Sequence, residues 1–169
     1  SSRVHLHRRG WTLWRTGRMR IRRREQTAGA QACAVRSARV VVLYPPPRVA
    51  QAVPVGSGLA PGSTFDLRAD VNGVTWDFEK PQDRKRALDR IRAEEPFLVV
   101  GSPPCTMFSS LQNLRADKGT AKWETRRRAA KALLVFAAVV YKLQVQAGRH
   151  FLHEHPAGAT SWNLSLIHT

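Results

Sequence analysis

Only two cysteines, Cys33 and Cys105, occur in the 169 residues, too few for a disulfide framework or a cysteine-built zinc knuckle. Thiol poverty fits a reducing compartment, so an intracellular protein, nuclear or cytoplasmic, is expected. Acids are scarce as well: 12 Asp and Glu face 28 Lys and Arg, a formal net charge of +16. An excess of that size favours a polyanion, DNA or RNA, through counterion release. Long apolar runs are missing, because Ala129 to Val145 is interrupted by Lys131, Lys142 and Gln144. No stretch then reaches the roughly 18 residues that span a bilayer, and no membrane partner is expected. With no Met at Ser1 and an apolar stretch, Leu164-Ser165-Leu166-Ile167, at its end, the chain reads as a fragment.

What is present is unevenly spread. The first 40 residues hold 11 Arg, no Lys and one acid, Glu25. Residues 1–38 show no sustained period of 2 or 3.6, so they are expected to form a disordered basic leader or to be translated sequence that is not native coding sequence, with an Arg-rich organelle-targeting peptide as a further reading. Residues 39–169 carry the patterning of one α/β domain. Val40 to Tyr44 reads as a buried strand stopped by Pro45-Pro46-Pro47, Arg48 to Val53 as a short helix, and Gly56 to Gly62 as a loop. Ser63 to Leu67 and Val74 to Phe78 are candidate strands.

Pro81 suits a first helical position, and Ala87, Leu88 and Ile91 make an apolar stripe through Glu95, opposite a solvated basic face of Arg84, Lys85, Arg86, Arg90 and Arg92. Phe97 to Val100 is a further strand, Gln112 to Thr120 a polar loop, and Trp123 to Ala147 a long helix stopped by Gly148. Arg149 to Pro156 is the last strand. Alternating strands and helices with crossovers this long imply a parallel sheet flanked by helices, Rossmann-like and incomplete.

Reactive groups fall at two strand ends. Gly101-Ser102-Pro103-Pro104-Cys105-Thr106-Met107-Phe108-Ser109 puts a thiol on a stiff turn after one strand, and Phe151-Leu152-His153-Glu154-His155-Pro156 puts a carboxylate at the tip of the next. Ligands of open α/β sheets bind beyond the carboxyl ends of the strands, so neighbouring strands would bring Cys105 and Glu154 to one cleft. A thiolate attacks and a nearby acid protonates what it attacks.

The first of these segments resembles the nucleophile motif of the DNA cytosine-5 methyltransferases, Pro-Cys-Gln followed by Phe-Ser. The second is similar to their strand ending in Glu-Asn-Val. The resemblance implies S-adenosylmethionine as cofactor and addition of Cys105 to carbon 6 of a flipped-out cytosine, with Glu154 at ring nitrogen 3. It also implies cofactor contacts at Asp66, Asp77, Ser102 and Pro104. Thr106 stands where the family has Gln, His155 where it has Asn, and Pro45-Pro46-Pro47 where it has a glycine-rich cofactor turn. Ser102-Pro103-Pro104 is similar as well to amino-methyltransferases, which carry an aromatic residue where Cys105 stands.

Plainer readings run beside these. Cys105 reads equally as a small buried residue, and Glu154 as the partner of an arginine such as Arg149. His153 and His155 share one strand face and His150 lies on the other, leaving no third ligand, so no metal is expected. Trp76, Trp123 and Trp162 read as packing. The alternative to a methyltransferase is a non-catalytic nucleic-acid-binding module, as in a mobile-element polyprotein; a thiol hydrolase has no assignable partner.

Overall fold

The computed structural model describes residues 2–5, 11–15, 38–44, 52–54, 56–68 and 73–164. Among them six strands form one sheet: β1 (Ser2–His5), β2 (Trp11–Arg15), β3 (Ala38–Leu43), β4 (Leu59–Phe65), β5 (Leu98–Gly101) and β6 (His150–Pro156). Their order is β1-β2-β6-β5-β3-β4. Strands β6, β5, β3 and β4 are parallel, the α/β Rossmann-like core that the patterning predicts. Two helices, α1 (Pro81–Glu94) and α2 (Ala121–Gln146), precede β5 and β6.

β3 is central, and Val40 to Leu43 are buried on both faces, as a continuous apolar run requires. Val41, Val99 and Phe151 stand in register across three strands. They meet Ala87 and Ile91 from α1 and Phe136, Ala137, Val140 and Tyr141 from α2, so both helices cover the same sheet face. Each large apolar side chain buried there contributes roughly 1.5–3 kcal/mol.

Local chemistry sets the helix ends. Pro81 opens α1 and Asp83 lies in its first turn, where its carboxylate accepts the Asp77 amide at 3.0 Å. Glu95 closes it in the left-handed region at φ 45°. Thr120 caps α2 by accepting the Trp123 amide at 3.2 Å, and Gly148, at φ 67°, ends it. The edge strand is fastened by Glu94, which accepts the Ser63 amide and hydroxyl. Burial opposes that carboxylate's charge, yet the Ser63 bonds and Arg90 hold its pKa below the ordinary value.

Several expectations are revised. β4 starts within the segment read as a loop, because an edge strand tolerates Pro61, and the register shifts between Val40 and Val42 opposite it. Val74 to Phe78 is not a strand: it joins the sheet's edge through Trp76 N to Asp66 O at 2.9 Å, and Asp77 turns the chain toward α1. In the leader, expected to be disordered, Trp11–Arg15 pairs antiparallel with β6 and Ser2–His5 pairs antiparallel with β2, covering the edge that β6 would otherwise leave open. Pro45-Pro46-Pro47 and most of the short helix expected over Arg48 to Val53 lie outside the described residues. α2, contrary to the expectation of no such stretch, is long and apolar enough by length and composition to cross a membrane; Leu134, Ala137, Val140 and Tyr141 on it are buried in the domain.

The basic face of α1 is internally neutralised. Lys85 pairs with Asp89, Arg86 with Asp83 and Arg90 with Glu94. The exposed Lys85–Asp89 pair contributes little stability, but together the three leave α1 few free cations.

Candidate active site

The strand order makes the chain step outward from β3 to β4 and return to β5 on β3's other side, a topological switch point between β3 and β5. Ser102 N donates to Leu43 O across this gap at 3.2 Å. Beyond it the 101–105 turn is tied to the tip of β6, since Ser102 Oγ donates to Glu154 Oε2 at 2.5 Å. His155 Nε2 lies 3.0 Å from Pro103 O. Cys105 is a free, half-buried thiol that opens a short 3-10 turn, Thr106–Phe108, with its carbonyl accepting the Phe108 amide at 2.9 Å. Thiol-bearing turn and carboxylate therefore share one sheet edge, as adjacent parallel strands dictate.

A carbonyl can only accept, so His155 Nε2 carries a proton and Nδ1 accepts from Ser161 Oγ, 2.5 Å away. Burial lowers the His155 pKa, against the Pro103 bond and the Glu154 charge, and the ring stays neutral. His155, buried at 1% exposure, thus supports the turn from beneath. Phe108 packs on the same ring with centroids 5.9 Å apart. Gln112 fixes the next segment, donating to Thr106 O at 2.9 Å and accepting Trp123 Nε1 at 3.2 Å. None of His155, Ser161 or Gln112 is singled out as a support by motif; two histidines at period two on an otherwise apolar strand face were the available signal.

His153 is fully buried between Tyr141, 2.9 Å from its Nδ1, and the rings of His155 and Trp162. Nε2 finds no hydrogen-bond partner among the described residues. Burial, helped by His155, pushes its pKa down to about 3. The unfolded chain, titrating near 6.5, binds the proton more readily, so stability falls as pH drops below about 6.5 and continues to fall toward 3. Urea midpoints taken between pH 7 and 5 are expected to decline with a slope approaching about 1.4 kcal/mol per pH unit, and His153→Gln to flatten it. An equal slope in that variant assigns the effect to other groups.

The remaining expected site residues divide. Asp66 lies half-buried at the carboxyl end of β4, where its side chain accepts the Arg68 amide at 3.3 Å. Asp77 does not fit: its oxygens hold the Glu79 amide at 3.0 Å and Lys80 at 3.4 Å. Ser102 spends its hydroxyl on Glu154, and Pro104 is exposed. Arg149 pairs with Gln144 at the other end of β6, not with Glu154. Among the described residues no group of three His, Cys, Asp or Glu is placed to hold a metal. Trp76, Trp123 and Trp162 pack on Phe65, Gln112 and His153. At the switch point Tyr44 adopts φ 75°, an uncommon value for an aromatic residue, with its hydroxyl 2.6 Å from Leu133 O. A cavity of about 590 Å³ opens at the opposite, amino edge of the sheet and is not part of this site.

No protein-family model, curated protein or solved structure matches the chain.

Proposed function

We propose that the chain is a partial S-adenosylmethionine-dependent methyltransferase domain of the DNA cytosine-5 type. The observation that carries this reading is the Ser102–Glu154 hydrogen bond, which ties the turn bearing Cys105 to the carboxylate at the tip of the neighbouring strand. Cys105 Sγ, as thiolate, adds to carbon 6 of an extruded cytosine while the protonated Glu154 gives its proton to ring nitrogen 3, leaving carbon 5 nucleophilic. Bound S-adenosylmethionine would supply an electrophilic methyl group, with Asp66 holding its ribose. Loss of the carbon 5 proton to water, return of the nitrogen 3 proton to Glu154 and expulsion of Sγ restore the aromatic ring.

A duplex carrying 5-fluorocytosine, incubated with cofactor, is expected to give a covalent adduct that Cys105→Ser abolishes and Glu154→Gln slows about 100-fold. An adduct surviving Cys105→Ser removes that residue from the role. One observation favours a non-catalytic nucleic-acid-binding module instead: Asp77 is spent on its own turn. Calorimetric titration with S-adenosylmethionine separates the two, since absence of heat at millimolar cofactor leaves only the binding module.

A further inference from the structure

Between α1 and α2, on the face away from the sheet, lies a groove of about 530 Å³. Its floor is apolar, formed by Leu88, Val135, Phe136 and Val139, and Val139 is 43% exposed. Every charged side chain lining it is cationic: Arg84, Arg128 and Lys131. Arg84 is held in place by two carbonyls, Phe78 O at 2.7 Å and Glu79 O at 3.1 Å, and so presents a fixed charge. Arg128 and Lys131 form no ion pair among the described residues, unlike Lys85, Arg86 and Arg90 of α1. Arg84 lies in the first turn of its helix, where the peptide dipoles add positive potential.

We infer that this groove docks an acidic amphipathic helix of a partner protein, with its apolar ridge on Leu88, Val135 and Val139 and its carboxylates on Arg84, Arg128 and Lys131. The residues outside the described segments do not match it, because they contain Glu25 and Asp70 as their only acids and many arginines. A second copy carries the same +16 and is repelled. Nucleic acid suits the rim alone, since the floor offers a phosphodiester backbone no donors. The inference is independent of methyl transfer.

Fluorescence anisotropy of the full chain tests it, using a labelled synthetic helix with Leu and Ala on one face and Glu along the flanks, and a control with Lys replacing Glu. The Glu peptide is expected to bind with a Kd of roughly micromolar order, and the control at least about tenfold more weakly. Arg128→Glu combined with Lys131→Glu, and separately Val139→Asp, should each weaken binding about tenfold or more while leaving the circular dichroism melt unchanged. Absence of binding overturns the proposal. Equal binding of both peptides overturns it by showing that the cationic rim plays no part, and indifference to Val139→Asp overturns it by assigning the signal to the chain's overall charge. Displacement of the peptide by a single-stranded oligonucleotide, or self-association relieved by Val139→Asp, assigns the groove to another occupant and overturns it too.

Discussion

Gly101→Ala is expected to destabilise the domain by about 3 kcal/mol, a large share of the stability of a domain this size. A Cβ built on Gly101 falls 2.0 Å from the Tyr141 hydroxyl oxygen and 2.9 Å from its Cζ, inside any real contact distance. Tyr141 has nowhere to retreat. It is 1% exposed, stacks on Phe151 with centroids 4.4 Å apart, and its hydroxyl is engaged with His153. Removing that hydroxyl in Tyr141→Phe deletes the nearest atom, so the double variant should recover part of the loss. Alone, Tyr141→Phe leaves His153 Nδ1 without its partner and costs about 1 kcal/mol. The two substitutions should therefore be strongly non-additive in urea denaturation. An unchanged urea midpoint for Gly101→Ala would mean that Tyr141 does not occupy this position.

The parallel core was legible from the sequence because its interior elements obey simple periods. Val40 to Leu43, the stripe of α1, the broad face of α2 and the alternation of β6 each announce their burial. The edges were not, for a physical reason: an edge strand pairs on one side only and tolerates residues that a central strand rejects. Pro61 in β4 is such a case, and β2 pairs with β6, over 130 residues away in the chain, while β1 in turn pairs with β2. At the candidate site, the placement of Cys105 and Glu154 at one sheet edge was legible from their strand-end positions. Their supports were not, since the Tyr141–Gly101 approach and the His155–Pro103 bond span 40 and 52 residues and leave no local pattern.

The second large effect is expected at His155, a positioning residue. In the cytosine adduct assay His155→Ala should lower the rate of adduct formation by Cys105 about 100-fold, the cost of a displacement near an ångström at the attacking atom. The substitution removes the only side-chain bond that Pro103 O receives among the described residues; the two prolines before the thiol cannot substitute for it, having no amide hydrogens. It also strips Ser161 of its acceptor, so Ser161→Ala, which leaves the Nε2 proton in place, should cost only about tenfold. Loss of packing against Phe108 would lower the yield of folded protein equally in His155→Leu and His155→Asn. Restoring a donor separates the roles: His155→Asn should recover most of the adduct rate per folded molecule, and His155→Leu should not. A disulfide reagent on the Cys33→Ser background follows the same thiol without any nucleic acid, and its rate should change in the same variants. Equal adduct rates in His155→Leu and His155→Asn would reduce His155 to core packing. Loss of the cytosine adduct in every chain, with the thiol rates still separating the variants, would retain His155 as the support of the turn and discard the methyl-transfer reading alone.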